Sequence, residues 1–260
     1  MRALLFLLAS TNLLVAETHW AFVPPVDAAV PAAPEWARSP VDAFLREASD
    51  LADQGRLMRR LSLDLRGLPV SLMEQEAFLK DDHPEALSRL TDRFLASPLY
   101  GERMAQDWLD LARYADTTGH AADQPRTMWL YRDWVIDALN TDMPYEQFTV
   151  EQLAGDRLAN ATESQRIATG FHRNSMQALG NNPRKEEFRV RGVVDRMDVT
   201  GQVWLGLSLA CAECHDHTHD PISQKEYFQL YAIFNQTPHY GEKFKVRGPR
   251  LPVKRDGKEV

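Results

Sequence analysis

The sequence predicts a mostly α-helical fold: one multi-helix domain with an extended N-terminal arm and a C-x-x-C-H loop after its longest helix. Three observations predict it. Apolar residues recur at helical spacing through most of 39–240, and capping residues bound the repeats. No segment alternates convincingly as a strand, and no internal repeat is present. Both cysteines of the chain lie in one pentapeptide, Cys211-Ala212-Glu213-Cys214-His215.

Met1-Arg2 is a short positive start, residues 3–15 are apolar, and Ala16 is a small residue suited to cleavage. Residues 1–16 therefore read as a signal peptide, too short for an ordinary membrane span. Residues 17–38 read as an extended arm and Ala/Pro linker, with Trp20 and Phe22 as docking candidates. Ser39-Pro40 with Asp42 predicts a helix over 39–51, with Ser as cap and Val41, Phe44, Leu45 and Ala48 as its stripe. Residues 57–68 end a helix at Gly67-Leu68-Pro69. Ser71 with Glu74 is a capping box for the next. Helices follow over 84–95, after Ser97-Pro98 over 100–114, and over 127–139, with a polar loop at 116–125. Pro144 begins another, and 163–171 is short. The longest runs over 186–209 and delivers the chain directly to Cys211. Residues 223–234 close the domain, and 241–260 read as a linker or truncated tail.

The C-x-x-C-H spacing is that of c-type haem attachment. Two thiols three positions apart lie on one side of a turn, where they can add to the two vinyl groups of a haem. His215 then ligates the iron from one face. A local Cys211–Cys214 disulfide and half of a zinc site use the same residues, and His217 and His219 keep the metal reading open. Asp216 and Asp220 are candidates to orient the other nitrogen of His215. His217 and His219 are second-layer proton donors, separate metal ligands or exposed loop histidines. Candidates for a sixth iron ligand are His172, Met176, Met197, His120 and His239. The Asp/Arg/aromatic segments 107–116 and 131–134, and Asp195-Arg196, read first as ion pairs tying helices together.

The formal charge is −7, with no basic block, which argues against a nucleic-acid partner. No second long apolar run exists, so no stable membrane span is expected after signal cleavage. The composition is that of an ordinary globular protein.

The stretches Trp108-Leu109-Asp110-Leu111-Ala112-Arg113-Tyr114-Ala115-Asp116, Tyr131-Arg132-Asp133-Trp134-Val135-Ile136, Glu151-Gln152-Leu153-Ala154-Gly155-Asp156, Ala168-Thr169-Gly170-Phe171 and 211–222 resemble the planctomycete cytochrome-associated family of unknown function, the second PSCyt type. His19-Trp20-Ala21-Phe22, and Leu63-Asp64-Leu65 with Gly67-Leu68-Pro69, fit it too. The resemblance implies an exported, mostly helical protein. It implies a separate cytochrome c domain upstream in many members and a second planctomycete-specific domain downstream. It implies no reaction. This chain departs from the pattern in several places. It carries neither flanking domain, and it stops soon after the C-x-x-C-H motif, as a fragment needing a partner chain would. The segment before Arg59-Arg60 is shorter than usual. A Glu-Gly-Gly loop is replaced by Ala178-Leu179-Gly180, and the missing acid argues against catalysis by that loop. A Lys-Tyr pair is replaced by Thr218-His219.

The leading expectation is an exported, periplasmic c-type haem protein in electron transfer, with a redox partner or a separate cytochrome c chain. One alternative is a haem enzyme or accessory module in complex-carbon degradation. Another is a non-haem interaction domain with a Cys211–Cys214 disulfide or a divalent metal.

Overall fold

The computed structural model describes residues 22–37, 39–45, 52–119, 123–176, 185–237, 251–255 and 258–259. The expected signal peptide, Trp20, His120, the 178–180 loop and His239 lie outside the described residues. The chain divides into two units, Met1–Ala52 and Asp53–Val260.

In the first unit residues 23–33 are exposed. The helix expected over 39–51 is, among the described residues, a single 3-10 turn, Asp42–Phe44, after which Leu45 is extended. Ser39 does not cap it as expected: its N–H and hydroxyl both donate to Asp42 Oδ2, at 2.9 and 3.2 Å, and the N-cap is Val41, with no side-chain bond. The stripe of Val41, Phe44 and Leu45 is more than half exposed. A helix this short holds only when packing covers its apolar face, and here that face is open.

The second unit is mostly helical. Its helices are α1 (Gln54–Arg66), α2 (Leu72–Leu79), α3 (Ala86–Leu95), α4 (Pro98–Leu111), α5 (Trp129–Asn140), α6 (Tyr145–Ala154), α7 (Glu163–Ala168), α8 (Lys185–Thr200) and α9 (Gln224–Asn235). A two-residue antiparallel pair, Lys254–Arg255 with Lys258–Glu259, adds the strand structure that the sequence did not signal. Among the described residues no helix is long and apolar enough to cross a membrane.

Helices α1–α3 bury Met58, Phe78, Leu90 and Phe94 as one cluster. α1 stops where Gly67 takes φ 70°, a left-handed cap that glycine adopts without a Cβ clash. α2 opens with the Ser71–Glu74 capping box. Arg66 joins the two helices. It pairs with Glu74 at 2.9 Å, donates to Ser62 and lies 3.8 Å above the Phe94 ring. That partner holds the Glu74 carboxyl down to about 2.

The main core gathers α4–α7 around Tyr131, Trp134, Val135, Phe148 and Phe171. Trp108 meets Phe148 edge-on at 4.8 Å, and Trp134 stacks on Phe148 at 5.3 Å. The polar ends are satisfied inside the core. Trp108 Nε1 and Tyr131 Oη both donate to Gln152 Oε1, at 2.9 and 2.8 Å. Buried aromatics of this kind usually find such partners. Val253, in the segment read as a linker or tail, is 1 % exposed and belongs to this core.

α4 and α5 approach closely at Gly101. A Cβ there would lie 2.5 Å from the Ile136 carbonyl oxygen, and the Gly101 N–H donates to Asn140 Oδ1 at 2.8 Å. Gly101→Ala is expected to destabilise the fold by about 1–3 kcal/mol, because backbone cannot yield as a side chain can. The check is urea unfolding: a lower midpoint at unchanged slope.

Candidate functional site

α8 brings the chain toward the cysteines. The helix expected to run unbroken over 186–209 ends earlier. It is α-helical to Thr200, forms a π-helical turn over Gly201–Leu205, and stops at Gly206 with φ 65°. Thr200 Oγ1 donates to the Arg196 carbonyl at 2.7 Å, a side-chain bond that bends helices. The Gly206 and Leu207 N–H groups both donate to the Gly201 carbonyl. Leu209 then folds back over Gly201, where a Cβ would come within 2.7 Å of it. The chain therefore reaches Cys211 through a reversal rather than directly from the helix.

Ala210–Glu213 form one turn of 3-10 helix, with Cys214 as its cap. In this helix three residues make a turn, so side chains at i and i+3 eclipse. Cys211 and Cys214 thus share one side. Both thiols are free and exposed. Ala212, on the second side, is fully buried with Met197, Leu209 and Tyr227. Glu213, on the third, lines a cleft.

His215 follows, exposed, with Nδ1 bonded to the Asp216 carbonyl oxygen at 2.7 Å. The Asp216 carboxylate instead accepts from the Gln224 N–H at 2.8 Å, tying the loop to the start of α9. α9 has its own capping box, Ser223 with Glu226. His217 is nearly buried, its side chain 5 % exposed. Its Nδ1 accepts from the Asp220 N–H at 2.8 Å and lies 3.4 Å from Asp220 Oδ2. That leaves the proton on Nε2, which is buried without a hydrogen-bond partner. His219 is exposed, its ring 6.4 Å from that of His217.

The sixth-ligand candidates separate. Met197 is fully buried in the cluster that holds Ala212. His172 packs between Phe171 and Phe234, with Nδ1 lacking a partner. Burial, then the Arg196 and Arg113 charges, pushes its imidazole down to about 3. Met176 is 63 % exposed and packs on Gly119. Among the described residues no group of three or more His, Cys, Asp and Glu side chains is arranged to hold a metal ion.

The cleft beyond Glu213 has a volume of about 680 Å³. α4 lends it Asp110, the turn that follows α4 lends Arg113, and α8 lends Asp195 and Asp198. Arg113 pairs with Asp195 across the two helices. Burial, then the Asp195 and Glu213 charges, pushes the Asp198 carboxyl up to about 6, with Arg113 opposing. Tyr227 is 1 % exposed and its hydroxyl has no partner. Burial, then Glu213 and Asp198, raises its phenol. Asp198 and Glu213 were not singled out from sequence as cleft residues. The spacing Asp195, Asp198, Gln202 along one face of a helix was the available signal.

Residues 40–239 match the family model PSCyt2, a protein of unknown function (DUF1549). The chain belongs to this family. No curated protein and no solved structure matches it. The match to PSCyt2 spans every helix from α1 to α9, both sides of the cleft and the whole of the C-x-x-C-H loop.

The raised Asp198 carboxyl makes a signed prediction for this PSCyt2 chain. Between the ordinary carboxylate value and about 6 the folded state holds the proton more tightly than the unfolded state. Stability therefore falls as pH rises through that window. Asp198→Asn is expected to stabilise by about 1–2 kcal/mol at pH 7.5 and by almost nothing at pH 3.5. Urea midpoints of both proteins at the two pH values test this; equal gains at both would contradict it.

Proposed function

We propose that this chain is an exported, periplasmic c-type haem protein that works in electron transfer, with a redox partner or a separate cytochrome c chain. Cys211 and Cys214 hold one haem by adding their S–H bonds across its two vinyl groups, and His215 ligates the iron. The observation that carries the reading is the condition of the pentapeptide. Its thiols are free and exposed, three positions apart at one 3-10 turn and its cap. The Asp216 carbonyl fixes Nδ1 of His215, which leaves Nε2 as the ligating nitrogen. A haem so held supplies one-electron chemistry. The chain supplies the anchor: Ala212 fastens the turn to the core, and the Gln224 N–H fastens the loop through Asp216.

A haem enzyme or accessory module in complex-carbon degradation is the second reading, favoured by the acid-lined cleft behind the turn. A non-haem module with a disulfide or a metal is the third.

Expression with a cytochrome c maturation system is expected to give a haem-stained band that survives a denaturing gel. Cys211→Ala with Cys214→Ala should abolish it. The reduced protein is expected to show a low-spin spectrum that carbon monoxide leaves unchanged. A high-spin spectrum that shifts with carbon monoxide would replace electron transfer by the second reading. A colourless protein with wild-type cysteines would leave the third.

A further inference from the structure

The match to PSCyt2 ends at residue 239, yet a residue beyond it enters the main core of that domain. Val253 is 1 % exposed and belongs to the cluster of Tyr131, Trp134, Val135 and Phe171. Every other member of the cluster lies within the matched residues. The segment that the sequence presents as a linker or tail therefore carries a plug.

Little holds the plug in place. Of residues 251–253 only Val253 is buried, and Leu251 and Pro252 are exposed. Among the described residues no hydrogen bond joins 251–253 to the helices. The strands that follow, Lys254–Arg255 and Lys258–Glu259, pair only with each other, in a sheet of two. A lone two-stranded hairpin is marginal in water, so it is a weak anchor for the segment.

Val135 is the contrast. It is fully buried in the same cluster, but it sits inside α5 between Trp134 and Ala138, which are buried with it. It leaves the core only if α5 unpacks. Val253 leaves by itself. The ring contacts of Trp108 and Trp134 with Phe148, and the two bonds to Gln152, do not run through it. Burying one valine favours the closed form by roughly ten- to hundredfold, and ordering the backbone beside it takes back part of that. An attachment of this size opens locally far more often than a helical core unfolds.

We propose that residues 251–253 form a releasable strap: Val253 plugs an apolar socket in the α4–α7 core and leaves it while the helical domain stays folded. Release opens the socket to solvent, so the segment beyond the matched residues controls access to the core. This does not rest on the haem reading.

The test is native-state thiol labelling of two full-length variants, Val253→Cys and Val135→Cys, with iodoacetamide. Each is read at its own position by peptide mass spectrometry, so Cys211 and Cys214 stay in place, free or carrying haem. The thiol at 253 is expected to label roughly ten- to hundredfold more slowly than a free thiol, at a rate that urea below the unfolding transition leaves unchanged. The thiol at 135 is expected to label far more slowly still, at a rate that climbs with urea. Ala138→Cys, also in α5 and 3 % exposed, takes the place of Val135→Cys should that variant fail to fold. Val253→Asp, which removes the plug, is expected to keep its helical circular dichroism. Three results overturn the proposal. Equal protection and equal urea dependence at 253 and 135 would make Val253 an integral core residue. Labelling at 253 as fast as a free thiol would leave the socket unplugged. Loss of the helical signal in Val253→Asp would tie the strap to the fold itself.

Discussion

The geometry of the site depends on the ion pair between Arg113 and Asp195. α4 ends with Ala112 as its cap, and the next residue, Arg113, takes φ 55°. The Arg113 N–H donates to the Asp110 carbonyl and the Tyr114 N–H to the Leu109 carbonyl, the paired bonds of a Schellman ending. Glycine is the residue that suits that position, and an L side chain there costs about 1–2 kcal/mol. Arginine accepts the strain and gains a partner: its guanidinium meets Asp195 on α8. That bond crosses 82 positions of chain. It ties the end of α4 to α8, the two elements that flank the acids and valines of the cleft.

From α8 to the cysteines the controlling constraint is steric. Gly201 and Gly206 let the chain turn back on the end of its own helix, one by absence of a side chain and one by a left-handed backbone. Leu209 and Ala212 then enter the cluster around Met197 and Tyr227. Once Ala212 is pinned, the three-fold repeat of a 3-10 turn decides the rest. The thiols face solvent because the two remaining directions are taken by the core and by the cleft. Five residues thus serve three environments with no side chain shared between them.

Much of this was legible in the sequence, and the parts that were not have physical reasons. Local signals read well: Ser71 with Glu74, Gly67 at a helix end and Ser97-Pro98 at a helix start all act through neighbours within one turn. The boxes Thr162–Gln165 and Ser223–Glu226 carry the same signal and fix two further helix starts. The short apolar stripe of Val41, Phe44 and Leu45 misled, because periodicity does not reveal whether a face is covered. The end of α8 misled for another reason. Gly201 and Gly206 sit inside a continuous apolar stripe, and a glycine that kinks looks the same there as one that is tolerated. The pairing of Arg113 with Asp195 was readable only as a type, an ion pair tying helices; the partner came from the fold. Asp198 had a signal in its helical spacing with Asp195 and Gln202, whereas its convergence with Asp110 and Glu213, from three elements, came from the fold.

Those acids also show where the sequence departs from what stability alone favours. Asp198 lies on a helix face whose neighbours Val194 and Val199 accept apolar side chains. A carboxyl there is partly desolvated and set beside two like charges, which is why it holds its proton so far above the ordinary range. The Arg113 charge offsets this incompletely, being already engaged with Asp195. Tyr227, in the cluster that holds Ala212, carries a buried hydroxyl without a partner. An apolar residue at 198 would remove the repulsion and fill space, so the aspartate opposes the packing around it. Local conflicts of this kind concentrate where a fold serves something besides its own stability. In this chain one such conflict lies on the Glu213 side of the turn, while Ala212 on the core side packs with Met197, Leu209 and Tyr227.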